Sequence, residues 1–120
     1  MPINKLALIE LLQNVLSKDA IKQSMIFIDT KIHSEGTEVT YPKTNFTYPY
    51  DGFMVFVDLK PKLNWGHDCL YLFIKSDLSQ LTKVRSTLPP YQGDYPETYS
   101  LMLRYGSKPN DEHDFNPFNL

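Results

Sequence analysis

The sequence predicts an α+β domain in which one N-terminal amphipathic helix packs on a curved antiparallel sheet of about six strands. Three observations carry that expectation. Apolar residues recur at helical spacing only between Asn4 and Lys18. From Met25 onward the apolar period is two, the period of a strand. The stretch Gly52 to Lys75, GFMVFVDLKPKLNWGHDCLYLFIK, forms two arms that are apolar on both faces, as central strands covered on two sides must be.

In the helix, Leu8, Leu11, Leu12 and Val15 make the stripe, Ile9 and Leu16 widen it, and Glu10, Gln13 and Asn14 lie opposite. Asn4 is the expected N-cap. Met25 to His33 is the first strand, with Ile26, Ile28, Thr30 and Ile32 on one face. Ser34-Glu35-Gly36 makes a turn, and short strands follow at Thr37 to Tyr41 and Asn45 to Tyr48. Pro42 and Pro49 bound them and, lacking a donor, assign them to a sheet edge. Gly52 to Leu59 and Cys69 to Lys75 are the central pair. Leu81 to Thr87 is a wetter strand with Lys83 and Arg85 outward, Leu88 to Pro96 a proline-bound loop, and Thr98 to Tyr105 the last strand. Residues 1–106 form one domain, and 107–120, which has no periodicity and several charges, a flexible tail.

This order of elements is similar to that of cystatin-like folds, in which a helix lies across a bent meander. The likeness is one of architecture, without a cystatin sequence motif; a β-sandwich or partly open barrel is the alternative. Fold alone does not assign a function.

Several classes are disfavoured by composition. At 120 residues one core is expected. A net charge of -2 with scattered Lys and Arg offers no basic stripe for a phosphate backbone, so nucleic acid is not an expected partner. No apolar run is long enough to span a bilayer, and Glu10, Gln13 and Asn14 interrupt the N-terminal stretch that might pass for a leader. The single cysteine cannot form an internal disulfide, which fits a reducing, cytoplasmic compartment. There is no GxGxxG, no Walker-type lysine loop and no GxSxG elbow, and no cofactor is expected.

Chemistry-bearing residues gather around the central loop. His67 and Cys69 share a strand face, the raw material of a Cys/His thiolate enzyme, with Asp68 facing away and His33 or His113 as more distant bases. With Asp58 they lack the paired spacing of a zinc site, and no metal is expected. Asp58 and Asp68 flank the hairpin, where solvated strand ends near Lys60 and Lys62 are the simpler reading than an acid–base pair. The stronger signal is aromatic. Tyr41-Pro42, Tyr48-Pro49 and Tyr95-Pro96 repeat one dipeptide, and Tyr50, Trp65 and Tyr91 lie in neighbouring loops. If those loops converge, Trp65, His67, Tyr48, Tyr50, Tyr91 and Tyr95 form a binding rim; otherwise the tyrosines plug the ends of the core. The expected function is a small non-catalytic binding or interaction module for a protein segment or small ligand, with homodimerisation through a sheet edge or the helix as a further expectation. The Cys69/His67 enzyme and an oligomerising structural protein are the alternatives.

Overall fold

The computed structural model describes residues 4–39, 46–60, 66–91 and 96–103. Helices α1 (Lys5–Val15) and α2 (Lys18–Gln23) are followed by strands β1 (Met25–His33), β2 (Glu38–Val39), β3 (Phe46–Thr47), β4 (Gly52–Asp58), β5 (Cys69–Lys75), β6 (Leu81–Ser86) and β7 (Tyr99–Leu103). Five strands form an open antiparallel sheet in the order β6-β5-β4-β1-β7, and β2 pairs with β3 in a separate ribbon. The α+β class and the helix-on-sheet arrangement are therefore as expected. The proposed meander differs: β7 returns to lie beside β1, which puts the first strand inside the sheet.

The helix starts where the cap residue dictates. Asn4 accepts a hydrogen bond from the Ala7 N–H at 3.0 Å, satisfying one of the free amides of the first turn. The expected single helix is in fact two. Ser17 caps α2 through the Ala20 N–H at 3.0 Å, with Asp19 in its first turn and Lys22 in its last, both favourable to the helix dipole. Leu8, Ile9, Leu12 and Leu16 turn inward with Ile21 onto Ile26, Ile28, Phe53, Val55, Val57, Leu70, Leu72, Ile74 and Met102. This helix-covered face is the larger core.

The opposite face of the same strands is also buried. Met54, Phe56, Cys69, Tyr71, Phe73 and Tyr99 pack there beneath Val39 and Tyr48, with Phe27, Val84 and Tyr91 against them. The two short strands were expected at an edge of the main sheet. They form instead a hairpin that pairs with itself and covers this second face, with Val39 buried in it. Bonds from the Gly36 N–H to the Tyr48 carbonyl and from the Tyr48 N–H to the Thr37 carbonyl, both 2.9 Å, close the base of the hairpin. The strand pieces expected at residues 40–41 and 45, the last two residues of the seventh strand and the tail at 107–120 lie outside the described residues.

Two glycines carry different constraints. Gly52 opens β4 opposite Lys75, and a Cβ built there would clash with the Ile74 carbonyl oxygen, a backbone atom that cannot move aside cheaply. Gly36 has open space but a φ of +86°. Gly52→Ala is expected to destabilise by about 2 kcal/mol or more through overpacking, and Gly36→Ala by only about 1 kcal/mol through left-handed backbone strain. Chemical denaturation of the two variants checks this; equal or reversed losses would contradict it.

Candidate functional site

Two buried aspartates sit at opposite ends of the second sheet face, and each holds a histidine. Asp29 lies on β1 between Met54 of β4 and Tyr99 of β7. In a regular strand its carboxylate could not meet His33, since four residues span about 13 Å. The register shift between Asp29 and His33 brings them together. His33 Nε2 and Asp29 Oδ2 are 2.9 Å apart, the Tyr91 hydroxyl donates to the same oxygen at 3.3 Å, and the Lys31 backbone N–H donates to Oδ1 at 3.1 Å. These donors allow a carboxylate that is only 1% exposed to be buried without the cost of an unsatisfied charge.

A cavity of about 120 Å³ lies between the hairpin, the loop reaching Tyr91 and the sheet. Among the described residues Met54 is its floor, Val39 and Tyr48 come from the hairpin side, Tyr91 and Pro90 from the loop, and His33, Thr37 and exposed Glu38 also line it. The Tyr48 ring meets Phe73 edge-on at 4.9 Å and lies tilted against His33 at 4.8 Å, while Tyr91 meets Tyr99 edge-on at 4.8 Å. Burial pushes the Tyr48 phenol above its ordinary range, and the negative charge of Asp29 adds to this. Tyr91 is pushed up from 10.0 to about 12, again by burial first and then by Asp29, whose carboxylate also accepts a hydrogen bond from its hydroxyl.

At the other end Asp58 stands opposite Cys69 across the β4–β5 pair. His67 Nε2 and Asp58 Oδ1 are 2.6 Å apart, and the Lys60 backbone N–H donates to the same oxygen at 3.1 Å. Asp68, by contrast, is exposed. Cys69 is 1% exposed, with Sγ 3.6 Å from the Leu88 carbonyl, which also accepts the Tyr71 hydroxyl at 2.7 Å. Burial, then the Asp58 charge, push the thiol from 9.0 to about 12, against the opposing hydrogen bond to Ser86. A thiol held there offers about a thousandfold less thiolate at neutral pH than one at 9.0.

The structure thus brings Tyr48 and Tyr91 to one cavity and His67 and Cys69 to a different cluster. Tyr50 belongs to neither: its hydroxyl donates to the Phe73 carbonyl at 2.8 Å and lies 2.9 Å from Thr82 Oγ1, bracing β5 and β6. Trp65, Tyr95 and His113 lie outside the described residues, as does Lys62. Among the described residues no three His, Cys, Asp or Glu side chains gather as a ligand set. Sequence reasoning missed both Asp–His pairs. The Asp58–His67 pair had a readable signal, because the hairpin register that sets Asp58 opposite Cys69 puts His67 just beyond it. The Asp29–His33 pair had none, since an irregular strand is required.

Alkylation of Cys69 by iodoacetamide is expected to be at least about a hundredfold slower in the native protein than in denaturant; equal rates would contradict the buried, protonated thiol. Because Cys69 and Tyr91 are both raised, the fold favours their neutral forms. That stabilisation is complete below about pH 9 and is lost as pH climbs through about 12. Thermal melts across this window should show a falling Tm, and a flat profile would contradict it. Compared with models of known families, with curated proteins and with solved structures, the chain matches none.

Proposed function

We propose that the chain is a small non-catalytic binding module whose site is the cavity under the β2–β3 hairpin. The observation that carries the reading is the cavity itself, about 120 Å³ with apolar, aromatic and acidic residues converging on it. That volume equals about four waters at 30 Å³ each and falls well below the 300–1,000 Å³ or so typical of sites for whole drug-sized molecules. One side chain of a protein segment, or a small ligand of similar bulk, is the occupant that such a space accommodates.

Other features support a binding role over catalysis. The Cys69 thiol is buried and held protonated, which gives the Cys/His alternative no ready nucleophile in this conformation. Among the described residues every buried side-chain nitrogen and oxygen has a hydrogen-bond partner, as a structural role for the two Asp–His pairs requires. The proposed partner is not nucleic acid, in keeping with the net charge of -2. No described helix is long and apolar enough to cross a membrane. A second copy of the chain is one candidate source of the segment, and the unpaired, buried cysteine is compatible with the proposed cytoplasmic setting.

The test is a fragment screen read by amide and methyl NMR, using molecules of up to about eight heavy atoms to match the cavity. Saturable shifts should centre on Val39, Tyr48, Met54 and Tyr91. Shifts centred instead on Asp58, His67 and Cys69, or none from any fragment, would overturn the assignment.

A further inference from the structure

We infer that the cavity selects a positively charged head group, a primary ammonium or a guanidinium on a short aliphatic stem. The inference rests on the binding reading above and names the chemistry that this site would take.

The first argument is the charge inventory. Exposed Glu38 lines the cavity, and the Asp29 carboxylate stands directly behind its wall, bonded to two lining residues, His33 and Tyr91. Among the described residues no lysine or arginine lines it. Lys31, the basic residue nearest in sequence to Asp29, meets that carboxylate with its backbone N–H and has an exposed side chain. Among the described lining residues His33 alone is able to carry positive charge, and when neutral it still donates from Nε2 to Asp29. An anion would therefore enter against two carboxylates, whereas a cation would be drawn by both.

The second argument is that the field of Asp29 reaches the cavity walls. Its charge acts against ionisation of both lining tyrosines, Tyr48 and Tyr91. A potential that disfavours a phenolate at two points around a cavity favours a cation between them. The rings add to this, since Tyr48, Tyr91 and His33 surround the space, and aromatic faces attract ammonium and guanidinium groups.

The third argument is size and polarity together. Met54 and Val39 supply apolar surface for a few methylenes, while Glu38 and Thr37 supply polar surface. A head group with two or three methylenes matches both the volume and this division, the mixed character of a lysine or arginine end.

The test uses NMR titration of the whole chain with n-butylammonium, n-propylguanidinium, their neutral isostere 1-butanol, and the anion butyrate. The cations should shift Val39, Tyr48, Met54 and Tyr91 at concentrations about tenfold below those 1-butanol requires, with no butyrate response. Glu38→Gln, at an exposed position, should weaken the cations by about two- to fivefold and leave 1-butanol unchanged. Asp29→Asn should weaken them further if it folds, but the Glu38 variant decides the matter without it. A blocked lysine, Nα-acetyl-lysine methylamide, separates the sources. If it binds at least as well as n-butylammonium, the occupant is a side chain of a partner segment; if it alone fails, the occupant is a free small amine. Equal responses to 1-butanol and the cations, or cation binding indifferent to Glu38→Gln, would overturn the charge selection while leaving the cavity as a binding site. Silence from all these probes also overturns it, and the fragment screen then decides whether the binding site falls too.

Discussion

Two adjacent strands that are apolar on both faces impose the rest of this architecture. Every residue of β4 from Gly52 to Asp58 is buried, and so is β5 from Cys69 to Ile74. A sheet with one covered face would leave Phe56, Tyr71 and Phe73 in water, and burying each such side chain is worth about 1.5–3 kcal/mol. Two covers are therefore needed. Helices α1 and α2 supply one with Leu8, Leu12, Leu16 and Ile21. The hairpin and the loop reaching Tyr91 supply the other.

The two covers differ in kind, and that difference locates the candidate site. An eleven-residue helix lays a continuous apolar stripe along the sheet. Among the described residues the β2–β3 ribbon, two residues per strand, lays no such stripe and brings Val39 and Tyr48 from its side into the core. The space left over is the cavity above Met54. Buried carboxylates on the second sheet face, Asp29 within β1 and Asp58 at the end of β4, have to be satisfied, and the chain does this with His33 and Tyr91 for the first and His67 for the second. One of these structural solutions leaves a negative charge beside the cavity. Packing and electrostatics thus converge on a single place.

How far this was legible depends on whether a feature is local. The helical stripe from Leu8 to Leu16, the cap at Asn4, the bounds of Met25–His33 and the two-sided apolar character of β4 and β5 follow from periodicity, and each appears in the structure. The second helix was signalled by Ser17 and Asp19, a cap and a first-turn acid, but six residues are too few to establish a helical period. Alternation shows that Phe56 and Phe73 need a cover but not which segment provides it, so β2 and β3 were assigned to an edge when they lie across the face. The placing of β7 beside β1 is a long-range pairing with no local mark. The tyrosines divided likewise: Tyr48 and Tyr91 meet at the cavity, while the Tyr50 hydroxyl was needed by β5 and β6.

The two-sided cover is tested most directly by the accessibility of side chains on the two faces to a soluble paramagnetic agent, read from methyl and aromatic NMR signals. The account predicts that Phe56, Tyr71 and Phe73 are as protected as Val55 and Leu72 on the helix face, with exposed Leu6 attenuated strongly. Attenuation of Phe56 and Phe73 comparable to that of Leu6 would mean that the hairpin does not cover the sheet. The cavity, and the function assigned to it, would then be lost together.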